Sequence, residues 1–225
     1  IMTDSIFFGA VISVVGYLIG IFLRKKISVL NPLLVSIIFV IAVIKIFHID
    51  YETYNSGAKY ISYLLTPATV CLAIPLYRQI SVLKEHAKEV FIGILAGVLA
   101  SMGSILLMSY LFGLTHEQYV TLLPKSITTA IGMGVSEELG GIQTITVAVI
   151  IITGVLGNII AEAVLKIFRI KEPVAKGLAI GTASHAIGTT KALEIGEIEG
   201  AMSSLSVAVA GLMTVISASI FANMM

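Results

Sequence analysis

Charge is scarce in this chain. Only 12% of its 225 residues are Asp, Glu, Lys or Arg, against 57% hydrophobic, whereas a soluble domain carries about 25% charged residues. Cysteine is nearly missing: Cys71 stands alone inside an apolar run, which excludes a disulfide framework. The formal net charge is +1 and no long basic stretch occurs, so a nucleic-acid partner is not expected. No second His or Cys lies at ligand spacing, and neither a metal site nor a cofactor is expected. Ser184 and His185 are sequence neighbours, but no triad order or metal motif accompanies them, so the chain is not expected to be an enzyme. No cleavable signal or Arg/Ser-rich transit segment shows at the start, and the opening Ile-Met reads as one residue ahead of a natural start.

What the chain has instead is apolar length. Mean hydropathy is +1.03, and the apolar runs are continuous rather than alternating, which predicts an all-α polytopic protein with the lipid bilayer as its solvent. A first span covers 7–23 and ends at Arg24-Lys25-Lys26, placing that loop in the cytoplasm. A second covers 33–47 and leads to a polar loop, His48 to Gly57. An interrupted segment, Ala58 to Leu76, is followed by Arg78, Lys84 and Lys88, again cytoplasmic, and Val90 to Phe112 returns outward. The apolar segments Tyr119 to Met133 and Ile142 to Leu165 then precede a basic loop, Lys166, Arg169, Lys171 and Lys176. Two full crossings would carry that loop outside, against the charge rule, so a re-entrant element is expected around Pro124 to Gly134. Gly177 to Thr190 is irregular, and Met202 to Ala222 is a last helix. A single membrane domain, 1–225, is expected.

The stretch from Leu123 to Gly134 carries Pro, Lys, three hydroxyls and two Gly, an unusual content for a membrane helix. Pro removes a backbone donor, and a broken helix is tolerated at membrane depth only where it is buried in protein or lines a watery cavity. A Lys at such depth is costly and usually functional. The pattern predicts one wall of a small-anion site. Pro67 to Leu76 matches Pro124 to Met133 without a gap at an offset of 57 residues, and Ser184-His185-Ala186-Ile187-Gly188 matches Thr128 to Gly132 more faintly. Internal repeats are therefore expected over about 58–112, 119–168 and 177–222, with interrupted segments in matching places, a pattern that points to a transporter binding site.

Tyr60-Ile61-Ser62-Tyr63-Leu64-Leu65-Thr66-Pro67-Ala68-Thr69-Val70, Leu123-Pro124-Lys125-Ser126, Gly181 to Thr189 and Ala192 to Ser204 together resemble the LrgB/CidB family over nearly the whole chain. One departure is Ala130, where relatives commonly have Pro after the Thr-Thr pair. The resemblance implies a multi-pass protein of the bacterial plasma membrane, and two functions. The main expectation is a carrier of small 2-hydroxy or 2-oxo monocarboxylates of the glycolate, glycerate and pyruvate class, as in similar plastidial translocators; the His185 imidazole adds the expectation of proton coupling. The alternative reading is an antiholin-like regulator of murein hydrolase export and autolysis, working with an LrgA/CidA-like membrane partner. A homo-oligomer is also expected.

A monocarboxylate needs a cation, hydroxyl donors and helix N-terminal amides screened from water. Lys125, Ser126, Thr128 and Thr129 offer that set in one break, with Thr66 and Thr69 at the matching place in the first repeat and Ser184, His185 and Thr189 in the third. The bland reading of Lys125 is a side chain snorkelling to the interface. His185 reads either as a proton carrier, since imidazole titrates near neutral pH, or as a hydrogen-bonded histidine holding two helices together. Glu162 with Lys166 reads as an i,i+4 pair. Glu194, Glu197 and Glu199 read as solvated, with a gate beside His185 as the alternative, and Gly93, Gly97, Gly154 and Gly157 read as helix packing.

Overall fold

A computed structural model describes residues 7–27, 30, 32–64, 67, 70, 71 and 73–225; Thr66 and Thr69 of the expected site lie outside them. The described residues are helical without strands, and four helices are long and apolar enough to cross a membrane: Phe8–Lys26, Ala87–Phe112, Gln143–Ile167 and Glu197–Ala222. The chain packs as two compact units, 1–71 and 72–225.

In the first unit, α1 (Phe8–Lys26) and α2 (Pro32–Ile46) form an antiparallel pair, with Gly20 against Pro32 and Gly16 against Ser36. The polar run expected as a loop instead enters a helix, α3 (Tyr51–Ser62). The reason is amphipathic spacing: Tyr54 and Ala58, one turn apart, pack on Gly9 of α1, and the Tyr54 hydroxyl meets Ser13 Oγ at 2.7 Å.

The second unit holds α4 (Ala73–Arg78), α5 (Ile80–Glu85), α6 (Ala87–Phe112), α7 (His116–Leu122), α8 (Thr129–Glu138), α9 (Gln143–Ile167), α10 (Pro173–Ile195) and α11 (Glu197–Ala222). Its path follows from contacts far apart in sequence. Helix α6 stops at Gly113, which takes the left-handed conformation at φ 62°. A capping box on Thr115 and Gln118 then starts α7. The break expected at Pro124 is present, since α7 ends at Leu122 and α8 begins at Thr129. Thr146 Oγ1 reaches the Thr121 carbonyl (2.9 Å) and Ser136 Oγ (2.7 Å), and the Ile142 amide donates to Thr121 Oγ1 (2.8 Å). Deeper in, Gly132 lies against both Ile150 and the Pro124 carbonyl. Advancing from 121 to 124 therefore advances 146 to 150 and reverses 136 to 132. The segment 116–138 is a hairpin that enters and leaves on one face, and α9 then crosses beside it.

Helix α10 conceals a second hairpin. His185 has φ 42° and ψ −144°, conformations that interrupt the helix. Gly188 folds back against the Ile180 carbonyl, and Gly181 and Thr189 both meet Ser203 of α11. Residues 173–184 run alongside α11, and 186–195 return antiparallel to it, with Leu193 against Gly200. This hairpin enters from the opposite face to the first. One face of the unit thus carries Lys84, Lys88, Lys166, Arg169, Lys171 and Lys176, while the other, near 113–121, 137–145 and 221–225, has no Lys or Arg. The bias puts the basic face in the cytoplasm. The two hairpins remove the conflict between crossing number and charge, because neither adds a crossing.

Glu199 departs from the solvated loop expected for it. It begins α11, is 7% exposed and pairs with Lys176 at 3.4 Å. Glu162 pairs with Lys191, at the end of the second hairpin, rather than with Lys166. Glu194 and Glu197 are exposed, and Glu194 pairs with Lys191 at 3.2 Å.

Candidate functional site: a cleft closed by Lys125

A cleft of about 800 Å³ runs between α6 and residues 172–183. Small residues make it. Gly93, Gly97, Ala100, Ser101 and Ser104 leave α6 without bulk on one side, and Ala175, Ala179 and Ala183 do the same opposite. The helices still touch: a methyl group at Gly97 would fall 2.7 Å from Thr182 Cγ2. His86, Glu89 and Glu172 line the end nearest the basic face.

The other end is closed by the tip of the first hairpin. There Lys125 Nζ donates to Ser126 Oγ (3.1 Å) and Ser101 Oγ (3.3 Å), and the two hydroxyls lie 3.0 Å apart. Ser101 is near the midpoint of α6, a helix of 26 residues, so the ammonium stands near mid-membrane. Among the described residues no carboxylate is within ion-pair distance of it. A half-buried cation held only by neutral oxygens keeps much of its field available to an anion, because neutral hydroxyls compensate less than a carboxylate. Thr182, 6% exposed, also lines the cleft, and its Oγ1 has no hydrogen-bond partner. A buried hydroxyl left unpaired calls for a partner. One cation and three hydroxyls, two of them on helix walls, fit an anion with a few oxygens.

Of the site residues expected from sequence, Lys125 and Ser126 meet here. Thr128 and Thr129 start α8, half-buried, and stand outside the cleft lining. Ser184, His185 and Thr189 lie in the second hairpin, away from it. His185 is 3% exposed and donates Nε2–H to the Ile150 carbonyl (3.0 Å). Its ring packs on Gly154, and Ser184 packs on Gly157. Thr189 Oγ1 donates to the His185 carbonyl (3.0 Å) and meets Ser203 Oγ at 2.8 Å. Both hairpin tips therefore converge on Ile150 of α9, one through Gly132 and one through His185. Asn158, on the same helix, donates to the Ile187 carbonyl and to Thr190 Oγ1, both at 2.9 Å. Sequence reasoning missed Ser101 and Thr182. Their signal was the stripe of small residues at helical spacing, which reads equally as packing.

Crossing helices, two hairpins entering from opposite faces and a cleft that ends at mid-depth beside the Lys125 ammonium define a polytopic membrane protein of the all-α class. The comparisons narrow it: the profile of the LrgB-like family matches residues 13–224, and the chain belongs to that family. It is 38% identical over 217 residues to proteins named antiholin-like protein LrgB from Bacillus mycoides (strain KBAB4), Bacillus cereus (strain B4264) and Bacillus anthracis (strain CDC 684 / NRRL 3495). Each alignment covers 95% of this chain and 94% of the relative. Those names favour the alternative, the antiholin-like regulator, over the carrier that is the main expectation from sequence. No solved structure matches the chain.

Proposed function

We propose that the protein is an antiholin-like regulator of autolysis in the bacterial plasma membrane, working with an LrgA/CidA-type partner. The name carried by relatives over nearly their whole length supports this role. A second reading concerns the molecular activity beneath it and is favoured by one observation, the cleft ending at Lys125. In that reading the protein binds and carries small 2-hydroxy or 2-oxo monocarboxylates, with the carboxylate on Lys125, Ser126 and Ser101 and a substituent oxygen within reach of Thr182. The two readings join if moving the metabolite sets the lysis response.

The shape of the second unit supports the carrier reading. A cleft that extends toward the basic face at His86, Glu89 and Glu172 and is closed at mid-depth by a hairpin from the opposite face suits one half of an alternating-access cycle. Proton coupling through His185 would have to act indirectly, since that ring is engaged with Ile150 outside the cleft.

Uptake of labelled pyruvate, glycolate and glycerate into proteoliposomes, with and without the partner and under a pH gradient, tests the second reading. Saturable uptake lost in Lys125→Met supports it, and no uptake of any of the three with the partner present contradicts it. The first reading is tested by the lysis response of cells lacking the gene. The wild-type protein restores that response; failure to restore it removes the regulatory role. Full restoration by Lys125→Met would detach regulation from the cleft.

A further inference from the structure

A second hollow lies apart from the cleft, where α9 ends at the cytoplasmic face. It is about 500 Å³ and is lined by Glu162, Leu165, Lys166, Arg169, Ile170, Lys171, Lys176 and Ile195. Its charge is unbalanced. Glu162 is committed to Lys191, and Lys176 to Glu199. Among the described residues Lys166, Arg169 and Lys171 have no ion pair, so three cations share the hollow unneutralised. Leu165, Ile170 and Ile195 give it an apolar floor, while Ile167 and Phe168 beside it stand 73% and 72% exposed on the helix end.

The backbone at Arg169 is the second observation. After α9 the Ile170 amide bonds the Leu165 carbonyl (2.9 Å) and the Arg169 amide bonds the Lys166 carbonyl (3.2 Å), with Arg169 left-handed at φ 53°. This helix stop is usually made by Gly, which adopts that conformation without a clash of Cβ. Topological bias requires positive charge somewhere in the loop, but not at its one strained position. An Arg there lines the hollow at a cost in backbone energy.

We propose that this hollow is a binding site for the phosphate headgroup of an anionic phospholipid. Arg169 would hold the phosphate oxygens in a two-pronged grip, Lys166 and Lys171 would neutralise the remaining charge, and the acyl chains would lie along Ile167 and Phe168. A basic pocket between membrane helices on the cytoplasmic side is a known setting for such headgroups. The exposed apolar pair at the same level favours a lipid over a free phosphate compound.

Native mass spectrometry of the full protein in neutral detergent tests this, with phosphatidylglycerol, phosphatidylcholine of the same acyl chains and soluble glycerol phosphate as probes. The expected result is at least ten-fold tighter binding of phosphatidylglycerol than of either other probe. That preference should be lost in the Lys166→Gln, Arg169→Gln, Lys171→Gln variant. Arg169→Gly guards against a folding failure in the triple variant. Relieving the left-handed strain should raise its melting temperature without lipid, while its preference for phosphatidylglycerol falls several-fold. Equal binding of the two lipids by the wild-type protein overturns the site, as does a preference that survives in Arg169→Gly. Glycerol phosphate binding as tightly as phosphatidylglycerol overturns the lipid assignment.

Discussion

The two hairpins of the second unit share a plan and differ in what their tips do with polar groups. Each enters from one face, turns near mid-depth against Ile150 of α9 and is followed by a crossing helix. The first turns through Pro124, Lys125 and Ser126, and leaves an ammonium with only hydroxyls for company. The second turns at His185, where the ring donates to Ile150, Thr189 meets Ser203, and Asn158 of α9 donates to the returning helix at Ile187 and Thr190. A backbone as unusual as that of His185 is held at a cost of about 1–3 kcal/mol and survives only where surroundings fix it. Of the two turns, then, the second is tied into the protein by His185 and Thr189, while the first holds an ammonium that the carrier reading assigns to a ligand.

Substitutions should separate these roles. The largest effect on ligand binding is expected from Lys125→Met, which removes the charge and keeps the length. A charge-assisted hydrogen bond contributes about 1.5–3 kcal/mol, so affinity for a monocarboxylate should fall about 10- to 100-fold by equilibrium binding, with the melting temperature held or raised. The counterpart in the second hairpin is Gly157→Ala, whose methyl would collide with Ser184. It should cost about 1–3 kcal/mol of stability in thermal unfolding and leave affinity in the surviving folded protein unchanged. Thr182→Val is subtler, because it deletes a buried hydroxyl that has no partner. Stability should hold or rise, while affinity for 2-hydroxy acids falls by about 0.5–1.5 kcal/mol. Smallest is Ser203→Ala, which loses the Thr189 contact and should cost about 0.6 kcal/mol of stability with no effect on binding. A large loss of affinity in Gly157→Ala, or none in Lys125→Met, would erase the contrast between the tips.

Much of this was legible in the chain itself. Pro124 and Lys125 inside an apolar run announce a break, and the basic residues 166–176 show that a simple count of crossings fails. The second reversal is legible only as an irregular stretch over 177–190 and not placed at a residue, because it falls on His185; a non-glycine residue reaches φ 42° only by tertiary support, which local sequence does not encode. Ser101 and Thr182 were hidden for another reason. On a helix of small residues a hydroxyl facing a cleft and one facing a neighbour have the same spacing. Residues 51–57 failed in the opposite direction, their polarity suggesting a loop where amphipathic spacing against Gly9 makes a helix. The 57-residue repeat remains a sequence pattern. Its first copy spans the division at residue 71, and Thr66 and Thr69 lie outside the described residues.

The most direct test is protection of a cysteine placed in the cleft. Cys71 is exposed, so it would be replaced by Ser, and Ala183→Cys introduced on the wall near Lys125. A membrane-impermeant thiol reagent should label this position from the cytoplasmic side. Pyruvate or glycolate should slow the labelling in the Lys125 protein and have no effect in Lys125→Met. Labelling that is indifferent to both anions, or slowed equally with and without the ammonium, would contradict the assignment of this cleft as the anion site.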